Sequence, residues 1–110
     1  MELKKREEKG VTIFSAAGRV DGVNAHELSD YLAVIVEEGQ SNLVLNFSEL
    51  KYISSAGLRV ILTTVKLLKA KKRDLFLSQL AGPVKDVFKL SGFYAILKTF
   101  ETDAEAVDAC

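Results

Sequence analysis

Apolar and polar residues recur along this chain at two periods, and each change of period marks an element. Leu3 to Arg6 and Val11 to Ala17 flank Glu8-Lys9-Gly10, a glycine-containing connection that predicts two antiparallel strands joined as a hairpin. The first strand is short and heavily charged, which suits a sheet edge that must avoid other chains. From Asn24 the period becomes helical, with Leu28, Leu32 and Ile35 at i, i+4 and i+7 and Tyr31 and Val36 beside them. Asn24 and Glu27 have the spacing of a capping box, and Gly39 supplies the stop. Leu43-Val44-Leu45-Asn46-Phe47 predicts a buried central strand. Leu58, Ile61, Leu62, Val65 and Leu68 then mark a second amphipathic helix, ending near Lys69-Ala70-Lys71-Lys72-Arg73, whose cations complement the negative end of the dipole.

Asp74-Leu75-Phe76-Leu77-Ser78 predicts another strand. Gly82-Pro83 opens a third helix with Val84, Val87 and Phe88 inward, and Ser91-Gly92 closes it. Ala95-Ile96-Leu97 is the expected last strand, and Thr102 or Asp103 caps a short terminal helix running to Ala109. After the hairpin, strands alternate with helices, which demands crossovers between parallel strands. The expectation is an α/β fold. It is one domain over residues 1–110, with a mixed sheet opened by an antiparallel hairpin and packed with about four helices.

Composition narrows the function. A chain of 110 residues has room for one domain, and a 48% hydrophobic share supplies its core. Fifteen Lys and Arg balance fifteen Asp and Glu, so the broad attraction to phosphate backbones or anionic lipid is missing and no direct nucleic-acid or membrane partner is expected. The single cysteine, Cys110, forms no internal disulfide, and with one histidine, His26, the usual zinc ligands are not assembled from one chain. The charged start, Met1 to Glu8, lacks the apolar core of a signal peptide, and no window has the apolar length of a membrane span. A cytoplasmic protein without metal or cofactor is expected.

Candidate chemistry lies in Tyr52-Ile53-Ser54-Ser55-Ala56-Gly57-Leu58. Two adjacent hydroxyls stand where the second helix begins, followed by small residues that leave its first turn open. Free amides and the positive end of the dipole make that place hospitable to an anion. A phosphate on Ser55 sits there without distorting the fold and adds about −1.5 to −2 charges. The plainer role for a serine before a helix is an N-cap, contributing about 1 kcal/mol, and Gly57 then serves close packing. Residue type and position alone do not choose between the two.

The stretch Phe47-Ser48-Glu49-Leu50-Lys51-Tyr52-Ile53-Ser54-Ser55-Ala56-Gly57-Leu58-Arg59-Val60, with Gly18-Arg19-Val20-Asp21-Gly22-Val23-Asn24-Ala25 upstream, resembles the STAS domain of bacterial anti-sigma factor antagonists. The resemblance spans nearly the whole chain. It implies a phosphorylation-switched protein-binding domain. In the family, the unphosphorylated antagonist binds an anti-sigma factor with a histidine-kinase-like ATPase fold. That partner is also a serine kinase, whose phosphorylation of the antagonist ends binding, and a PP2C-type phosphatase restores it. Aligning the Gly-Leu pair places the phosphoserine on Ser55, with Ser54 as the second choice. The implied partner surface comprises Asp21, Gly22 and Asn24 together with Ser54, Ser55, Ala56, Gly57 and Arg59. The best-known family pattern has Asp immediately before the phosphorylated serine, and here that residue is Ser54. The alternative implied by the same fold is a STAS adaptor subunit of a transporter or lipid-transport complex.

Other features have plainer readings. Asp21 in Gly-Arg-Val-Asp-Gly suits a tight turn. Lys66, Lys69, Lys71, Lys72 and Arg73 read as a solvated helix end, and Phe88, Phe93, Tyr94 and Phe100 as core or its rim. Ser55 as a catalytic nucleophile lacks a Gly-x-Ser-x-Gly context, and only His26 is available as its base. No enzymatic activity is expected.

Overall fold

Lys9 and Gly10 both have positive φ, 51° and 80°, and together turn the chain between β1 (Glu2–Glu8) and β2 (Val11–Val20). Two left-handed residues match the twist of the strands they join, which pair antiparallel from Glu2 opposite Ala17 to Glu8 opposite Val11. The structure, a computed structural model, describes residues 1–110. α1 (Ala25–Glu38) follows, then β3 (Leu43–Asn46), β4 (Leu50–Ile53), α2 (Ser55–Ala70), β5 (Leu75–Ser78), α3 (Gly82–Leu90), a 3-10 turn at Phe93–Ala95, β6 (Lys98–Phe100) and α4 (Asp103–Asp108).

The sheet runs β1-β2-β3-β5-β6, with β4 attached to β2. β2 is long enough to serve two neighbours. Thr12 to Ser15 pair with β3, and Gly18 to Val20 pair with β4, all in parallel. The register shifts between Gly18 and Arg19, where Gly18 has a φ of 91°. Consecutive residues of the central strands enter different cores, as period-two geometry requires. Phe14, Leu43, Leu45, Leu75 and Leu77 pack under α1, α2 and α3. Val11, Ile13, Val44 and Phe76 face the other way, against Ala106 and Val107 of α4. Both faces are covered, so the central strands read as continuous apolar runs.

α4 is held by a polar contact as well as by packing. Ser78, fully buried, donates to Oδ1 of Asp103 at 2.6 Å, and Asn46 Nδ2 donates to the same carboxylate at 2.9 and 3.0 Å. Arg6 adds a 2.8 Å ion pair from the edge strand. Thr102 caps the helix through Glu105 N–H. Asp103→Ala leaves Ser78 and Asn46 without their acceptor and is expected to cost about 1–2 kcal/mol. Asp103→Asn keeps an acceptor for Ser78 and should cost less. Urea denaturation checks the order, and equal stability of all three chains would contradict it.

Two expectations need correction here. The last strand is not Ala95–Leu97 but Lys98–Phe100, because left-handed Gly92 (φ 83°) reverses the chain and drives Phe93 against Phe88, ring centroids 5.3 Å apart. The 3-10 turn then consumes the residues expected to be extended. Gly39 ends α1 as expected, in an extended conformation. A Cβ there would meet Arg73 Nη2 at 2.8 Å and Ile35 O at 2.9 Å. That same Arg73 is not a solvated helix end, since it donates to the carbonyls of Val36 and Ser41.

Candidate partner-binding site at the start of α2

Parallel pairing of β2 with β4 sets Val20 opposite Ile53, so the segments leaving these two strands emerge side by side. Such crevices beyond the carboxyl ends of parallel strands are common ligand and partner sites. One segment is the loop Asp21 to Asn24, and the other is the Ser54 entry to α2. They are tied directly, because Ser54 N–H donates to Val20 O at 2.9 Å.

The loop is closed by two side chains. Asp21 Oδ1 accepts from the amides of Val23 and Asn24 at 2.9 and 3.2 Å. Asn24 Oδ1 accepts from Asp21 N–H at 2.9 Å, and its Nδ2 donates to Arg19 O at the same distance. The expected capping box is therefore absent: Asn24 precedes α1 but makes no side-chain cap bond, because the loop amide of Asp21 takes its oxygen. Gly22 is exposed at the tip. Beside it Val23 is 82% exposed, an apolar side chain on a turn otherwise built from polar residues.

At the helix start the two serines divide the work. Ser54 is extended (φ −85°, ψ 172°), and its Oγ accepts from Gly57 N–H at 3.2 Å, so it is the N-cap. Ser55 is the first helical residue and is exposed. Ala56 is half-buried. Gly57 is buried because a Cβ would lie 2.7 Å from Ile53 Cγ1 and 2.8 Å from Val20 Cγ1. The small residue lets α2 settle on both strands, which fixes the height of Ser55 relative to the loop. No acidic residue occupies the first turn of α2.

The structure thus brings Asp21, Gly22 and Asn24 to one edge with Ser54, Ser55, Ala56 and Gly57. Arg59 stands one turn further along α2. With Ala56 and Val60 it borders a shallow groove of about 320 Å³ whose other wall is Ala25, His26, Ser29 and Asp30 of α1. Sequence reasoning missed Val23 and also the Arg19–Tyr52 pair, in which the guanidinium sits 4.3 Å from the ring centroid. That pair comes from the β2–β4 register, for which residue spacing carries no signal. No three His, Cys, Asp or Glu side chains converge to hold a metal, and no helix is long and apolar enough to cross a membrane.

The chain and its fold are similar to known proteins. The family model of the STAS domain matches residues 2–106. The chain is 40% identical over 96 residues to BtrV of Bordetella bronchiseptica, described as an anti-sigma factor antagonist, with 87% of this chain and 83% of that one covered. It superposes with a TM-score of 0.90 and 21% identity on a Thermotoga maritima structure of the same description, covering 97% and 92% of the two chains. Bacillus SpoIIAA superposes in its unphosphorylated form (TM-score 0.75, 15% identity, 98% and 96% covered) and its phosphorylated form (0.74, 18%, 98% and 98%). The superpositions establish the fold, and the family model and the 40% identical relative establish kinship: the chain belongs to the STAS-domain family of anti-sigma factor antagonists.

Proposed function

We propose that this protein antagonises an anti-sigma factor through the surface formed by Asp21, Gly22, Asn24, Ser54, Ser55, Ala56, Gly57 and Arg59, and that phosphorylation of Ser55 switches it off. The partner is an anti-sigma factor of histidine-kinase-like ATPase fold that is also the serine kinase. A PP2C-type phosphatase reverses the modification, and the exchange takes place in the cytoplasm. The role is binding, with no catalysis by this chain.

One observation carries the choice of Ser55. Ser54 Oγ is committed as the cap, while the Ser55 hydroxyl is exposed on the same turn beside the Asp21–Asn24 loop. A phosphate at the first helical position gains about 0.3–1 kcal/mol from the dipole, so the domain tolerates it, and the cost falls on any complex pressed against that turn. SpoIIAA, with the same fold, has been solved in both phosphorylation states. The kinship with BtrV favours this reading over a transporter adaptor.

Incubation with the cognate anti-sigma factor and ATP, followed by peptide mapping, tests the assignment. A single phosphate on Ser55 is the expected result, abolished in Ser55→Ala and retained in Ser54→Ala. Phosphate on Ser54, or on neither, would count against it.

A further inference from the structure

The four arginines of the chain differ in what holds them. Arg6 pairs with Glu8 and Asp103, Arg19 lies over Tyr52, and Arg73 is bound to backbone carbonyls. The Arg59 guanidinium is exposed and engaged by no carboxylate, ring or carbonyl. Its position is specific, because Arg59 and Ser55 are i+4 and i on α2 and therefore lie one above the other on the same helix face. Long side chains on a helix point back towards its N-terminus. A guanidinium at 59 is thus within reach of the turn that carries Ser55.

Resting on the reading of Ser55 as the modified residue, we propose that Arg59 is the internal counterion of the phosphoryl group. Its side chain folds back one turn and donates to two phosphate oxygens, the geometry in which guanidinium binds phosphate best. Little competes for it. The first turn of α2 has no carboxylate, and Ser54 stands where a carboxylate would repel the phosphate. Across the groove, α1 presents His26 and Asp30, and Asp30 forms no ion pair with Arg59 in the resting state. In the adjoining loop, Asp21 Oδ1 is already occupied by two amides. On β2 and β4, Arg19 is held by Tyr52. Phosphorylation then changes the surface twice, since it adds a dianion and removes a free cation that a partner carboxylate would otherwise meet.

The test places phosphoserine at position 55 of the full chain by genetic incorporation and follows its phosphorus-31 chemical shift with pH. The second ionisation is expected below the ordinary value of about 6. It should rise by roughly 0.15–0.4 of a pH unit in Arg59→Gln and move less in Arg59→Lys. His26 borders the same groove, so the comparison is repeated with His26→Gln, where the Arg59-dependent shift should persist. An ionisation that is unchanged on removing Arg59 would overturn the proposal, as would a shift that vanishes with His26. Because the phosphoserine at 55 is encoded genetically, this result is independent of whether the kinase selects that serine, which peptide mapping decides.

Discussion

Ser55→Asp is expected to bind the cognate anti-sigma factor at least roughly thirtyfold more weakly than the parent chain, a loss of about 2 kcal/mol, while unfolding at no lower a temperature. The two halves of this result have different physical origins. Within the domain, a carboxylate at the first position of α2 meets free amides and the positive end of the dipole, and Ser54 continues to cap through Gly57 N–H. At an interface, the same charge is desolvated against a surface arranged around a neutral hydroxyl, and mismatched charge across an interface costs several kcal/mol. Ser55→Ala should bind like the parent but resist release by the kinase. Calorimetric titration and thermal denaturation of both variants provide the check. Equal affinities for the two would remove Ser55 from the binding surface.

The second large effect is on stability. Gly57→Val should lower the unfolding free energy by about 2–3 kcal/mol, and the thermal midpoint by roughly 10 °C. At an exposed helical position, replacing glycine by alanine gains about 1 kcal/mol, so the expected sign is opposite to helix propensity. The reason is contact: the new Cβ falls 2.7 Å from Ile53 and 2.8 Å from Val20. Both neighbours are buried, and their branched side chains have little freedom to turn aside. α2 must lift at its first turn, straining the bond from Ser54 N–H to Val20 O and moving Ser55 relative to the loop. Gly57→Ala should lie between parent and valine. Urea denaturation with an unchanged slope measures the series, and a valine variant as stable as the parent would contradict the packing described.

Elements that bury a periodic stripe were legible in the sequence. The hairpin, the three longer helices and the Thr102 cap all follow from alternation, helical spacing and terminal residues. β4 was not legible. Lys51 and Tyr52 are exposed and only Leu50 and Ile53 are buried, so four residues of strand show no alternation. β6 is a polar edge strand in which Lys98 and Thr99 face solvent, and the apolar run just before it drew the expectation three residues too early. Asn24 had the right spacing for a cap, but spacing could not show that Asp21 N–H would claim its side chain. At the candidate site, sequence alone could not separate two adjacent serines. The extended backbone and hydrogen bond of Ser54 separate them physically.

The most direct measurement is the affinity of one preparation of the chain for its anti-sigma factor before phosphorylation, after phosphorylation at Ser55, and after treatment with a PP2C-type phosphatase. The account predicts tight binding, a loss of at least roughly thirtyfold, and full recovery, with an unfolding midpoint that does not fall on phosphorylation. Unchanged affinity in a chain fully phosphorylated at Ser55 would contradict it.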